Sequence, residues 1–426
     1  MDPRDNPYTP NAGARPPALV GREDELAAFD VLLTRLARGR TDQSVIVTGL
    51  RGVGKTVLLG EFRQRAEVQG WVAVEDEVIR RADFGLRMAQ LARRALLQLA
   101  PKARWKDRAR RAAGVLKSFT VTVSSNGSLT AGLDIDAAEG FADSGELVQD
   151  LADLVVALGE VAKDSGRGVV FLFDEIQHLS QNDFEALIAA LHKTVQRALP
   201  VTFVGAGLPQ MPRLAGEAKS YAERLFRFPS IGRLPREEAL QALVEPAAEL
   251  GVAFTPEAAG EIVTCTEGYP YFIQEYGRIV WDETEGSPIR PRDAAAVRPL
   301  VAAKLGGSFF RVRAERTTQL ELRYLRAMAE LGAAPQKAAE VAAVLGRTAA
   351  QLGPTRARLI EKGLLYTPGY GLAAFTVPQF DKYLLRTTPL ADGGRARKRP
   401  PALFSYAAAG PPRAFMPRPS HGRRPR

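Results

Sequence analysis

Gly49, Gly54, Lys55 and Thr56 stand at the spacing G-x-x-x-x-G-K-[ST] within "VIVTGLRGVGKTVLL" (45–59). That spacing serves phosphate chemistry when a strand precedes it and a helix follows. At ordinary glycine usage the four constrained positions match by chance in about one chain of this length in a hundred. The flanks agree. Ser44–Thr48 is short, apolar and β-branched, and Val57–Glu67 continues with helical periodicity. Glycines let loop N–H groups turn inward onto phosphate oxygens, and the following helix aims its positive end at the same anion. The expected contacts are Gly49, Arg51, Gly52, Val53, Gly54, Lys55, Thr56 and Val57. Lys55 would reach the β- and γ-phosphates of ATP, and Thr56 would hold Mg²⁺.

Such a loop needs a partner acid. "GVVFLFDEIQHL" (168–179) is an apolar run ending in Asp174-Glu175. A carboxylate at the carboxyl end of a buried strand faces the crevice where ligands bind in open α/β sheets. Asp174 would hold Mg²⁺ through water, and Glu175 would polarise the attacking water. An apolar run plus Asp-Glu is a weak signal alone. Roughly 120 residues after a phosphate loop it becomes a strong one.

The elements that must position these groups alternate along the chain. Strands are expected at Ser44–Thr48, Trp71–Val74, Val169–Phe173 and Val201–Val204, with helical stretches between them. That alternation implies a mainly parallel, covered sheet. An amphipathic helix precedes the first strand, with Leu26, Phe29, Leu32, Leu33 and Leu36 on one side. A basic insertion, "PKARWKDRARRAAGVLK" (101–117), reads as a helix with Trp105 among its charges. It would touch nucleic acid or, the reading preferred here, cover the sheet edge as a solvated helix. Phe119, Val121 and Val123 then alternate with Thr120, Thr122 and Ser124, and Asn126-Gly127 supplies a hairpin turn.

Composition bounds the rest. A chain of 426 residues, 46% hydrophobic and 25% charged, is expected to form two or three globular domains. No run suits a bilayer span, and the polar, Pro-rich first residues lack a secretion signal, so a cytoplasmic location is expected. A single cysteine, Cys265, and three scattered histidines argue against a disulfide framework and a structural zinc site. The net charge of +10 is uneven: residues 391–426 hold nine basic residues against Asp392, which leaves only +2 elsewhere. Basicity therefore argues for an interacting tail.

"LVGREDEL" (19–26), "GLRGVGKT" (49–56) and "FLFDEIQ" (171–177) resemble the AAA+ and related signal-transduction ATPases, notably bacterial relatives of the replication-initiator, origin-recognition-like proteins. The likeness spans about residues 18–388 and implies an α/β fold. Its parts would be a P-loop parallel-sheet core, a helical lid over the nucleotide and a C-terminal winged-helix domain. It places Gly21 and Arg22 near the adenine. Along the chain itself an extended leader is expected at 1–17, the core at 18–235 with a basic-helix and hairpin insertion at 101–137, and the lid with connecting helices at 236–310. The winged helix would follow at 311–388 and a disordered basic tail at 389–426.

Two departures qualify the likeness. The fourth strand ends in Gly205-Ala206-Gly207 instead of a polar sensor, with Gln210 the nearest amide. The lid carries Gly268-Tyr269-Pro270 where relatives usually place an arginine. Slow turnover suited to a switch is expected. Arg224 and Arg227 lie where the family places an arginine finger, supplied within an ATP-dependent homo-oligomer; Arg224 is favoured, and pairing with Glu223 or Glu237 is the alternative.

"PQKAAEVAAVLGRTAAQLGPTRARLIEKGLLYTPGYGLAAFTV" (335–377) reads as helix Ala338–Leu345, a turn and helix Pro354–Lys362, then strands Leu364–Thr367 and Gly371–Val377. In a DNA-binding winged helix the second helix enters the major groove. Arg356, Arg358 and Lys362 would then meet DNA, with Arg347 on a phosphate and the 391–426 tail adding charge. The alternative is a module that packs on the ATPase or binds a protein, serving a signalling or non-hydrolysing ATP switch.

Overall fold

The computed structural model describes residues 1–101, 106–123 and 135–389. Five parallel strands build the main sheet: β1 (Ser44–Thr48), β2 (Val72–Glu77), β3 (Val169–Asp174), β4 (Val201–Gly207) and β5 (Phe226–Arg227), in the order β2-β3-β4-β1-β5. Strands β1 and β4 are buried throughout, and β3 is buried up to Asp174. They read as unbroken apolar runs because helices cover both faces. Val45, Val47, Leu172 and Val204 meet the helices Glu23–Ala37 and Lys55–Val68 on one face. Phe171, Phe173 and Phe203 stack on the other face, under the helices Phe84–Leu99, Leu147–Asp164 and Gln181–Gln196.

Strands β2, β3 and β4 run beyond the expected residues, and β5 was not expected. Strand β2 continues to Glu77 because each of its residues finds a partner on β3, ending at Glu77 opposite Asp174. Strand β5 is short and carried by its edge pairing to Ser44 and Val45.

The expected strand at 119–124 is overturned. Asp107–Val123 is one helix. Ala109, Ala112, Ala113, Leu116, Phe119 and Thr120 form its buried stripe, whereas Val121 is exposed. That stripe packs on the helices at 84–99 and 147–164, and such tertiary burial outweighs a short run of alternating β-branched residues. The Thr120 and Thr122 hydroxyls donate back to the carbonyls of Leu116 and Ser118, which suits threonine to a buried helix. Arg108 pairs with Asp164 and Lys117 donates to the Ile135 carbonyl, so part of the basic face is tied to the core. Trp105, Asn126 and Gly127 lie outside the described residues.

Beyond residue 235 a second hydrophobic core is shared by the lid helices Arg236–Ala248, Pro256–Thr266 and Pro270–Glu283, the helix Pro291–Lys304 and the residues up to Leu384. The leader joins it. Tyr8 is buried and donates to the Leu243 carbonyl, and Trp281 donates its indole N–H to the Asp2 carbonyl at 3.0 Å.

The C-terminal module is winged-helix-like. Strand β6 (Gln336–Lys337) precedes the helices Ala338–Val344 and Ala349–Glu361, β7 (Leu365–Tyr366) and β8 (Leu372–Phe375) follow them, and the three strands form an antiparallel sheet in the order β6-β8-β7. Strand β6 was not expected. The second helix starts five residues before Pro354 because Thr348 and Gln351 close a reciprocal cap there.

Arg358 and Lys362, both exposed, pair with Glu321, a fully buried carboxylate, at 3.1 and 2.6 Å. Arg356 donates to the Leu372 carbonyl at 2.6 Å. Three of the four residues expected on DNA are therefore engaged within the module, and Arg347 alone of the four is exposed without a described partner. Burial by itself would raise the Glu321 carboxyl. The bonds from Lys362, the Thr318 N–H and Arg358 outweigh it and hold the group down at about 2. A carboxyl lowered by folding stabilises the fold above its unfolded value and loses that contribution as pH falls through the folded one. Thermal unfolding should therefore show stability declining between about pH 4.5 and pH 2. Glu321→Gln should flatten that decline and cost about 1–2 kcal/mol at neutral pH, because it removes the charged acceptor of two hydrogen bonds whose donors are partly solvated.

Candidate functional site

The phosphate loop leaves β1 at Thr48 and enters the helix Lys55–Val68 through Gly54, whose φ of 93° only glycine adopts readily. Lys55 and Thr56 thus open a helix whose unpaired N–H groups face the loop. The Lys55 ammonium folds back onto the carbonyls of Gly49 and Leu50, at 3.0 and 2.8 Å. The Thr56 hydroxyl donates to Asp174 Oδ2 at 2.6 Å. Residues 118 positions apart are therefore already joined at the carboxyl ends of β1 and β3. A hydroxyl and a carboxylate are hard oxygen donors. They suit Mg²⁺, which keeps several waters and takes its remaining ligands from substrate phosphates. Among the described residues no cluster of three His, Cys, Asp or Glu side chains offers another metal site.

Glu175 follows Asp174 in a left-handed conformation, φ 50° and ψ 38°, at the start of a short turn. One carboxylate oxygen meets Arg51 Nη1 at 3.2 Å, and the other accepts from the Gln177 amide. Gln177 Oε1 in turn accepts the Leu208 N–H at 3.2 Å, just beyond β4. This places a polar side chain beside the carboxyl end of β4, where the strand's own residues are Gly205, Ala206 and Gly207. A Cβ on Gly207 would lie 2.8 Å from Met211 and 3.0 Å from Ile176, so the small strand end is what admits the Ile176-Gln177 turn. The sequence reading missed Gln177. Its signal was its place two residues beyond Glu175. The expected amide, Gln210, is turned elsewhere and accepts the Thr367 N–H at 3.2 Å.

Arg22 is buried and donates to the carbonyls of Gly21, Val53 and Gly232. It clasps the loop to the segment leading into the lid, with Gly21 beside Glu238 of the first lid helix. Gly52 meets the lid, its carbonyl accepting the Tyr271 N–H at 3.2 Å. Val53 is buried beneath the loop and Val57 half-buried in the helix after it. Arg224 is exposed and, among the described residues, has no ion pair with Glu223 or Glu237. It precedes β5, which pairs with the start of β1, whereas the loop follows the end of β1. Arg224 therefore lies toward the sheet end opposite its own loop. Arg227 donates to the Ala28 carbonyl at 3.4 Å.

Burial lowers the Lys55 ammonium to about 8, with Glu175 and Asp174 opposing the shift. A polyphosphate binds the protonated form, so above about pH 8 its binding must take up a proton. Nucleotide affinity should fall as pH rises through 8, by up to about tenfold per unit. Calorimetric titrations in two buffers of different ionisation heat should show proton uptake at pH 9 and much less at pH 7.

The comparisons with known proteins agree with this fold. Residues 18–204 match the family described as the AAA ATPase domain, and residues 307–384 match a domain of unknown function (DUF8462). No curated protein matches the sequence. Among solved structures, the Aeropyrum pernix ORC2 protein, in its ADPNP-ADP complexes, is similar over 88% of this chain and 96% of its own. Its TM-score is 0.53 at 16% identity. The Walker-type ATPase paby2304 of Pyrococcus abyssi is similar over 87% of this chain and 97% of its own, with a TM-score of 0.50 at 15% identity. At such identities the likeness is one of fold. Among the described residues no helix is long and apolar enough to cross a membrane. Residues 18–204 thus resemble the AAA ATPase domain, and the chain has a P-loop ATPase fold similar to that of the Aeropyrum pernix ORC2 protein.

Proposed function

We propose that the protein is a Mg²⁺- and ATP-dependent switch that hydrolyses ATP slowly and carries its output in the C-terminal module. The observation that carries this reading is the Thr56–Asp174 bond, with Lys55 and Glu175 beside it. Thr56 and Asp174 would hold Mg²⁺, which when bound neutralises charge on the phosphates. Lys55 would leave the carbonyls of Gly49 and Leu50 for the terminal phosphates, while loop N–H groups take the remaining oxygens. Glu175 would orient water for attack. Its carboxylate is held by Arg51 and Gln177 without a cationic sensor on β4, which supports slow turnover. Arg224, exposed and remote from its own loop, is suited to a neighbouring subunit, so assembly with ATP is part of the proposal.

The intramodular engagement of Arg356, Arg358 and Lys362 favours a module that packs on protein over one that reads bases. Nucleic-acid affinity is assigned to Arg347 and the charge of residues 391–426, and is electrostatic in character. The location proposed is cytoplasmic.

Lys55→Ala should abolish ATP binding with the fold intact by circular dichroism; undiminished affinity would remove the nucleotide assignment. Glu175→Gln should keep ATP binding and lower single-turnover phosphate release by about two orders of magnitude. Deleting residues 391–426 should flatten the slope of log affinity for DNA against log salt by about four to five units, if the tail neutralises about five phosphates. Equal slopes in anisotropy titrations would take the tail out of nucleic-acid binding.

A further inference from the structure

The C-terminal module touches the phosphate loop itself. The Arg51 N–H donates to the Thr376 carbonyl at 3.0 Å, while the Arg51 guanidinium meets Glu175 at 3.2 Å. In a phosphate cradle the loop N–H groups face the anion. This one faces the module. Thr376 is fully buried, and its hydroxyl donates to the carbonyls of Gly363 and Leu364 at 2.6 and 3.1 Å. The chain at 363–364 and the chain at 376 are thereby bound into one piece. Gly363 is left-handed, with φ 68°, and a Cβ there would lie 3.1 Å from Arg51 Nη2. Its bare backbone leaves room for the guanidinium. Arg51 is held by the module at its backbone and flanked by it at its side chain, with Glu175 as its ion-pair partner.

The rim of the contact is polar. Glu361 lies 3.2 Å from Arg81 and 3.6 Å from Arg80, Thr367 N–H meets Gln210, and Gln379 and Lys382 both reach Glu267. Exposed ion pairs contribute little individually, so a charge change at the rim adjusts docking without disturbing the core. In the docked arrangement each group that would serve ATP has a protein partner instead. Lys55 rests on loop carbonyls, Thr56 on Asp174, and Glu175 on Arg51 and Gln177.

We propose that Arg51 is a positioning residue that couples docking of the C-terminal module to Glu175. The docked module holds Arg51 on the carboxylate and restrains hydrolysis. A γ-phosphate draws the guanidinium away and releases both. This rests on the ATPase reading above. The planar guanidinium fork prefers phosphate, which gives the nucleotide its leverage. Linkage makes the effect reciprocal: a ligand that loosens the module binds more tightly once the module is loosened.

The test uses the full-length chain and reads ATP affinity, phosphate release at saturating Mg-ATP, and amide exchange over residues 364–367. Glu361→Arg places a cation against Arg80 and Arg81. It should speed exchange and raise phosphate release at least about fivefold, without weakening ATP binding. Adding Arg80→Glu and Arg81→Glu should return both readouts toward wild type. Arg51→Gln should itself raise release, and Glu361→Arg should add nothing to it. In the wild type, a non-hydrolysable ATP analogue should speed exchange at 364–367 and ADP should not. Faster exchange in Glu361→Arg with unchanged or slower phosphate release would overturn the coupling. So would equal exchange with the ATP analogue and ADP. If the single charge change leaves exchange unaltered, Glu361→Arg with Gln210→Ala applies the same criterion. A wild type that binds no ATP overturns the ATPase reading, and this inference with it.

Discussion

The hydrogen bond between Thr56 and Asp174 imposes the main constraint on this protein, because it joins groups carried by two strands that are not neighbours. Strand β4 lies between β1 and β3, pairing with both. A bond between the loop after β1 and the acid ending β3 therefore has to cross the end of β4. Gly205-Ala206-Gly207 keeps that end low. The Gly207 carbonyl then accepts the Gly49 N–H at 3.1 Å, so the strand that is crossed also supports the loop above it. The absence of a polar side chain at the carboxyl end of β4 and the presence of Gln177 are two sides of one packing solution.

The central sheet and the site were legible for local reasons. Fully buried parallel strands are short apolar runs, and the chemistry sits at their carboxyl ends, so Ser44–Thr48 and Val169–Asp174 announced themselves within a few residues of Lys55 and Asp174. What a local reading did not reveal has a common physical origin in partners distant along the chain. Arg358 and Lys362 looked like a basic face because Glu321, 37 and 41 residues earlier, is invisible to a local reading. Phe119 to Val123 alternates like a strand, yet burial against two other helices decided its conformation. Arg51 was read as a nucleotide contact, and nothing near it in sequence pointed to Thr376.

Arg22 and Tyr271 show how the lid is made answerable to the loop. One is a buried cation bonded to carbonyls on both sides of the site, and the other a backbone N–H on Gly52. Neither contact requires a nucleotide. The loop is thus held from below by β4, from one side by Arg22 and from above by Tyr271. Such support keeps loop amides in place before an anion arrives, and preorganised donors need little rearrangement on binding.

The leader has a consequence for how the chain is made. Asp2, Asn6 and Tyr8 find their partners at Trp281, Asp282 and Leu243, more than 230 residues later. During synthesis the five-stranded sheet has all its strands once residue 227 has emerged. The leader must still wait for the lid helices. Domains form as their own contacts become available, and contacts of long sequence separation form late. The strands of the sheet can therefore pair before the lid helices are available, whereas the segment at 2–8 can settle only after them.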